Sequence, residues 1–316
     1  MSLTMKANRI HRFGGPEVIL FEDVPRSAPG TDEVLVRVHA AGVGPWDAWV
    51  RAGRSALPQP LPLTLGADLA GTVEATGSRD CPFSLGDEVF GATNPRFTGA
   101  YAQYALAFTR MLAHKPRRCD FLGSAAVPVV AVTARQMLFR DAGVRPGQRV
   151  LVQGAAGNVG AYEVQFARAA GAHVIASVLP RHRDEALRLG ADAVISIPGE
   201  EAQGLQGTFD TAIDTVGGKA QRDLFAFVRK GGTLISSVSV PDAQLARQCG
   251  IEAKFILVDV NTADLEAVAD LLDAQQLVVR VGQVLPLGDA RQAHEMLEGL
   301  RPRPAGKVVL NALGDS

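Results

Sequence analysis

Two rhythms of apolar and polar positions divide the chain. In its first third, Glu33-Val-Leu-Val-Arg-Val-His39 alternates apolar and polar residues, the pattern of a half-buried strand. Asp68-Leu-Ala-Gly-Thr-Val-Glu74 and Asp87-Glu-Val-Phe90 predict further short strands, the second following a turn at Gly86-Asp87. Gly14-Gly15-Pro16, Ala28-Pro29-Gly30 and the proline-rich stretch from Leu57 to Pro62 interrupt the pattern as turns and loops. Short strands punctuated in this way predict a partly closed antiparallel barrel.

Near residue 120 the rhythm changes. Val150-Leu-Val-Gln153 is a continuous apolar run, as expected of a parallel strand covered on both faces. A helical pattern then continues through Ala170 and ends at Gly171. His173-Val-Ile-Ala-Ser-Val178 predicts the next strand, and a helix to Leu189 stops at Gly190. Ala193-Val-Ile-Ser-Ile197, Thr211-Ala-Ile-Asp214 and Thr233-Leu-Ile-Ser236 continue the series. Strands separated by helices at this spacing predict a doubly wound parallel sheet. Towards the C-terminus, Asp264 to Leu272 predicts a helix and Gly306-Lys-Val-Val-Leu310 a last strand. No internal repeat or low-complexity segment interrupts this order.

The first strand of the second region runs into Gly154-Ala155-Ala156-Gly157-Asn158-Val159-Gly160, where a helix begins. A dinucleotide pyrophosphate needs main-chain N–H groups aimed at it and no side chain in the way. Glycines at a strand-to-helix turn allow that approach, and the helix N-terminus adds partial positive charge. Gly157 stands where the backbone would meet the phosphates, and Gly160 where helix and strand would pack closely. Ala155 replaces the first glycine of the commoner GxGxxG pattern. Past the second strand, Ser177-Val-Leu-Pro-Arg181-His-Arg183 contains no acid before Asp184. A carboxylate there would hold a free ribose 2′-hydroxyl. It would repel a 2′-phosphate about 4 Å away by about 4 kcal/mol at an effective dielectric of about 20. Its absence, with Arg181, Arg183 and Ser177 available, favours NADPH; the alternative is that both arginines are solvated residues at a helix start.

Composition narrows the remaining classes. The 316 residues are 47% hydrophobic and 21% charged, with 32 basic and 33 acidic side chains. A net charge of −1 gives no electrostatic footprint for nucleic acid or an anionic membrane. No apolar run reaches the roughly 18 residues that would cross a bilayer. The first residues carry no apolar signal core, and the expected location is cytoplasmic. Cys81, Cys119 and Cys249 are odd in number and widely spaced, which argues for free thiols in a reducing compartment.

With the glycine loop and the N-terminal strands placed, the chain resembles the medium-chain dehydrogenase/reductase superfamily, and within it the zinc-free quinone oxidoreductase (zeta-crystallin-like) branch. The resemblance is carried by Phe13-Gly-Gly-Pro-Glu17, Ala40-Ala-Gly-Val-Gly-Pro-Trp-Asp47, Leu65-Gly-Ala-Asp-Leu-Ala-Gly71 and Gly86-Asp-Glu-Val-Phe90. Ala131-Val-Thr-Ala134, the loop at 154–160, Asp214-Thr-Val-Gly-Gly218 and Gly306-Lys307 continue it in family order. It implies an α/β fold: a GroES-like β-barrel catalytic domain from residues 1–120 and 260–316, and a doubly wound Rossmann domain from 121–259. It also implies a cleft between domains where nicotinamide meets substrate. Thr133 matches a threonine beside the nicotinamide; Ser177 and Arg181 fall where relatives bind the adenosine phosphate. Val216, Ser237, Val238, Phe255, Ile256 and Leu257 would line the nicotinamide half. The family often forms homodimers through Rossmann sheet edges, and the strand after Gly231-Gly232 is the expected edge.

Departures from relatives bear on the chemistry. Zinc-dependent relatives carry a Cys at the position of Gly44 and a His-Glu pair at Ala67-Asp68. A catalytic zinc takes about three protein ligands, so no metal is expected. Quinone reductases of the branch usually have Asn at 44, Tyr at 49 and Tyr near Ser55, whereas this chain has Gly44, Trp49 and Ser55. Gly44, Trp46, Asp47 and Trp49 are therefore the candidate substrate-side residues. Trp49 would wall a flat ligand or fill the barrel core. Asp47 and Asp68 are candidate proton donors, with a backbone-bonding role as the alternative. His114 and His294 are read as surface or satisfied polar residues. The expected activity is NADPH-dependent hydride transfer to a quinone or an α,β-unsaturated carbonyl, a small-molecule acceptor whose delocalisation spares the site a strong oxyanion stabiliser. A zinc-free aldehyde or ketone reductase and a non-catalytic NADPH-binding sensor or structural protein stay open as alternatives.

Overall fold

The computed structural model describes residues 3–314. Its first eight strands are β1 (Thr4–Ile10), β2 (Leu20–Pro25), β3 (Glu33–Val43), β4 (Leu63–Thr64), β5 (Asp68–Thr76), β6 (Glu88–Ala92), β7 (Tyr104–Phe108) and β8 (Leu112–His114). Helices α1 (Pro45–Arg51), α2 (Phe121–Ala125) and α3 (Pro128–Arg135) accompany and follow them. Six strands come next: β9 (Arg149–Gln153), β10 (His173–Ser177), β11 (Ala193–Ile195), β12 (Phe209–Asp214), β13 (Val228–Ser236) and β14 (Glu252–Phe255). Among them lie α4 (Asn158–Ala169), α5 (Arg183–Arg188), α6 (Gly218–Leu224) and α7 (Ala243–Cys249). The chain finishes with α8 (Thr262–Asp273), β15 (Val281–Pro286), α9 (Ala290–Leu297) and β16 (Lys307–Asn311).

Two compact units result. The first takes the chain up to Val129, Val260–Gln275 and the stretch from Val279 on; the second takes Val130–Asp259 and Gln276–Val278. The first boundary lies nine residues later than expected. Residues 121–129 stay with the strand-rich unit because α2 packs on β3 and β5. Its N-cap Asp120 accepts a hydrogen bond from the Gly123 N–H at 2.7 Å, which starts the helix against that sheet.

In the first unit, β15, β16, β3, β5, β6 and β8 follow one another across a seven-stranded sheet, and β7 also pairs with β3. A three-stranded sheet, β2-β1-β4, stands beside it. The strands of the first third pair antiparallel, as the expected partly closed antiparallel barrel requires, whereas the C-terminal strands β15 and β16 run parallel to each other. The helix α9 between them makes the crossover that a parallel pair requires. Val34, Val36, Val38, Leu69, Val89 and Leu310, from four strands of the sheet, form its core.

In the second unit all six strands are parallel, in the order β11-β10-β9-β12-β13-β14. The middle strand β9 is buried from Val150 to Gln153, as its unbroken apolar run requires. The edge strands are β11 and β14, not β13 as expected: β13 pairs with β12 on one side and β14 on the other. Among the described residues, no helix is long and apolar enough to cross a membrane.

Candidate functional site

In an open parallel sheet, ligands bind outside the carboxyl ends of the strands, where the strand order reverses. Here the reversal lies between β9 and β12, and the glycine loop leaves β9 at that point. Gly154 has a φ of +77°, a conformation other residues rarely adopt, and it turns the chain sharply out of the sheet. Its N–H donates to the Ser177 carbonyl at 3.1 Å, tying the loop to the end of β10. Gly157, the N-cap of α4, donates its N–H to the Gly154 carbonyl at 2.7 Å and has no side chain to cover the helix start. A Cβ on Gly160 would come within 2.8 Å of the Ala155 Cα and closer still to the Gly154 carbonyl. Only glycine lets α4 lie this tightly on its own loop.

The neighbouring turn is built around one carboxylate. Asp214, fully buried at the end of β12, accepts from the N–H groups of Val216 (2.9 Å) and Gly217 (2.8 Å). It also accepts from Gln221 Nε2 (3.0 Å) and Ser236 Oγ (2.8 Å). These four bonds fix the turn that presents Val216, which is half exposed. Thr215 Oγ donates to the Gln153 carbonyl at 2.8 Å and closes the turn onto β9. Sequence reasoning had Asp214 inside a matching motif without a role; four convergent donors from three segments are visible only in space.

The other expected cofactor residues also follow strand ends. Ser177 ends β10 and is buried; Ser237 and Val238 follow β13; Phe255 ends β14 and Ile256 and Leu257 follow it, with Ile256 buried and Leu257 largely exposed. Thr133 lies in α3 and is buried. Arg181 is exposed and its Nε donates to His182 Nε2 at 3.1 Å, whereas Arg183 donates from its guanidinium to the Val194 carbonyl at 3.0 Å. One residue was missed altogether. Glu163, on α4, is fully buried and neither carboxyl oxygen has a partner among the described residues. Burial, reinforced by nearby Asp214, pushes its pKa well above the ordinary range.

The strand-rich unit brings together Gly44, Trp46 and Asp47 by a different logic. The Asp47 carboxylate caps the start of α1, accepting the Gly44 N–H at 2.8 Å. The same oxygen accepts the Tyr101 hydroxyl at 2.7 Å, and the other carboxyl oxygen is buried without a partner among the described residues. Burial pushes the Asp47 pKa up to about 7, against the pull of these two bonds. Asp68 is fully buried as well: Lys307 Nζ lies 2.8 Å from one oxygen and the Val129 N–H donates to the other at 3.0 Å. Burial raises its pKa in spite of the Lys307 charge. Both aspartates thus accept backbone N–H groups.

Trp49 has other neighbours. It lines a cavity of about 440 Å³ with Pro45, Ala48, Arg51, Arg54 and Glu298, a lining that does not include Trp46. Arg51 is almost completely buried there, donating to the Gly14 carbonyl at 3.1 Å and pairing with Glu298. It also donates to His294 Nδ1 at 3.0 Å, so Nε2 carries the ring proton, and that nitrogen has no partner among the described residues. His294 is therefore neither a surface residue nor a satisfied one. Burial, then the Arg51 charge, holds its pKa down to about 3 and keeps it neutral. His114 is exposed, with its ring 5.4 Å from that of Phe83.

Comparison with known proteins places this architecture. Residues 30–117 match the alcohol dehydrogenase GroES-like domain family and residues 189–310 the zinc-binding dehydrogenase family. A probable zinc-binding oxidoreductase, mitochondrial, of Arthroderma benhamiae is 33% identical, with 92% of each chain covered. The chain belongs to the medium-chain dehydrogenase/reductase superfamily, and is quinone oxidoreductase-like. Within that superfamily, quinone oxidoreductase of Homo sapiens is 40% identical over 172 residues, 54% of this chain and 52% of that protein. The matched region thus spans about half the length of that relative. A mycobacterial protein solved in complex with NADPH superposes with a TM-score of 0.86 at 28% identity, covering 98% of this chain and all of the other.

Some superfamily members carry zinc, and the donors present here do not fit one. At the positions where the resemblance puts the ligands of zinc-dependent relatives, Gly44 and Ala67 have no side-chain donor atom, and Asp68 is committed to Lys307 and Val129. Among the described residues, no group of three or more His, Cys, Asp or Glu side chains is placed to hold a metal ion.

Proposed function

We propose that this chain is an NADPH-dependent oxidoreductase that works without zinc and passes hydride to a quinone or an α,β-unsaturated carbonyl. The observation that carries this reading is the glycine loop at the reversal point of the six-stranded parallel sheet, leading into an α4 whose N-cap bears no side chain. The NADPH complex of the mycobacterial neighbour supports the choice of cofactor, and the human relative's name supports the acceptor class.

When bound, the reduced nicotinamide supplies the hydride. The chain's own residues bind and orient. Main-chain N–H groups at the start of α4 hold the pyrophosphate, aided by the helix dipole. Ser177 and Arg181 at the end of β10 take the 2′-phosphate; Arg183 joins them only by giving up the Val194 carbonyl. Val216 and Val238, half exposed beside the ordered Asp214 turn, offer apolar cover that excludes water from the nicotinamide. On the strand-rich unit, the acceptor lies against the Gly44–Trp46 corner. An acceptor whose conjugation spreads the developing negative charge suits a corner whose lysine, Lys307, is already paired with Asp68. A homodimer joined through the exposed edge of β14 is part of the same reading.

Steady-state oxidation of NADPH with quinones, enones and aldehydes, against a blank without acceptor, tests the reading. Acceleration by quinones or enones is expected. Tight NADPH binding with no acceleration by any acceptor would instead mark a non-catalytic NADPH-binding protein.

A further inference from the structure

Position 44 is glycine for a reason of space. Its φ is −130°, which any residue adopts, so the backbone does not demand glycine. A Cβ there, however, would lie inside the indole of Trp46, against its Cζ2, Cε2 and Cη2 atoms. The indole occupies the volume that a side chain at 44 would fill. Glycine at 44 and the indole of Trp46 are therefore one packing arrangement.

Three further observations converge on that indole. Lys307 Nζ sits 4.3 Å from the centroid of its ring, close enough for a cation–π contact, while paired with buried Asp68. The Phe97 ring meets it edge-on at 6.2 Å. Phe97 itself has a φ of +59°, strained for a residue with a large side chain. Asn94 holds that conformation: its amide donates to the Thr98 carbonyl at 2.7 Å and accepts from the Arg96 N–H at 2.9 Å. The main chain closes the turn from the Phe97 N–H to the Asn94 carbonyl at 3.0 Å. Finally, the Trp46 Nε1–H is buried with no partner among the described residues. A strained backbone and an unpaired donor both oppose stability, and strain of this kind concentrates at functional sites. Phenylalanine at 46 would supply an apolar ring without the orphan donor. Packing alone does not account for the arrangement.

We propose that Trp46, backed by Lys307 and flanked by Phe97, is the specificity-determining surface for the acceptor: both rings are half-buried, and the indole offers a flat apolar face to a fused-ring quinone or aryl enone in preference to a small acyclic carbonyl. The proposal rests on the reading that the acceptor binds beside Gly44.

The test compares 9,10-phenanthrenequinone with but-2-enal as acceptors for Trp46→Ala and Trp46→Phe. Trp46→Ala is expected to raise KM for the quinone about tenfold, the worth of a lost aromatic stack, with kcat little changed. But-2-enal should change by less than about twofold, and Trp46→Phe should keep most of the discrimination. An equal loss for both acceptors would overturn the proposal, because a lid over the Lys307–Asp68 pair would act on both alike. Trp46→Phe behaving like Trp46→Ala would overturn it too. The chain has 2 tryptophans, so in a Trp49→Phe background Trp46 is the remaining emitter. Saturable quenching of that emission by 9,10-phenanthrenequinone, without NADPH turnover, would leave the aromatic surface standing while the oxidoreductase reading falls. Absence of quenching would overturn the surface itself.

Discussion

The two candidate ligand faces, one on each unit, are made of different material. Around residues 154–160 the ligand face is main chain: glycines remove side chains, and a helix start and strand ends aim N–H groups outward. Around Gly44 the face is made of side chains over buried carboxyls, Asp68 paired with Lys307 and Asp47 hydrogen-bonded by Tyr101. A main-chain site costs little stability, since it buries no charged side chain. A corner of buried charge is expensive to disturb, because removing one partner strands the other in a medium that cannot solvate it. Binding and stability should therefore separate between the two regions.

Lys307→Met tests that separation with the largest effect. It leaves Asp68 buried without its cation, and the expected loss is about 3–5 kcal/mol of stability in denaturant unfolding. NADPH affinity should change little; a large loss of affinity with stability intact would break the contrast. Gly157→Val is the mirror experiment. A Cβ at 157 meets only the Gly154 carbonyl, at 3.0 Å, so the fold should survive. A branched side chain at the helix start should nevertheless weaken NADPH on the order of a hundredfold, about 3 kcal/mol. Fluorescence titration reads the affinity and circular dichroism the fold.

The glycine rule was legible because it is local: residues 154–160 are contiguous, and the apolar run before them announces a covered strand. The edge strand β14 was not. Its Glu-Ala-Lys-Phe sequence is short and half-exposed, with none of the apolar continuity that marks the inner strands. The side-chain corner was illegible for another reason. Asp68 and Lys307 are 239 residues apart, and Arg51 and His294 are 243 apart. No spacing rule connects such partners, and only the return of β16 alongside β3 brings Lys307 to Asp68. Gly44 and Trp46 are neighbours in sequence, yet their dependence on one another rests on where an indole ring turns.

Glu163 shows that the main-chain region also holds a buried carboxyl with no partner among the described residues, and its removal sharpens the comparison. An apolar replacement close in size, Glu163→Met, relieves a carboxyl with no partner and should stabilise the protein by about 1–3 kcal/mol. Because its folded pKa is raised, the folded state keeps a proton that the unfolded chain releases above the ordinary value of 4.5. The gain should therefore be larger at pH 8 than at pH 5, read as the difference in Tm from the unmodified protein. A gain independent of pH would contradict it.

Asp47 gives a smaller, bounded effect. Its ordinary value is 3.8 and its folded value about 7, so its contribution is intact below pH 4 and is lost as pH rises to 7. Asp47→Asn should flatten that part of the Tm profile while keeping the acceptor for Gly44 and Tyr101. An unchanged slope between pH 4 and 7 would place the titration elsewhere.

A crystal structure of the chain grown with NADPH reaches the main-chain half directly. Pyrophosphate oxygens are expected within about 3 Å of N–H groups among residues 157–160, with the 2′-phosphate beside Ser177 and Arg181. A cofactor bound away from the loop, or a loop left vacant at saturating NADPH, would contradict the account.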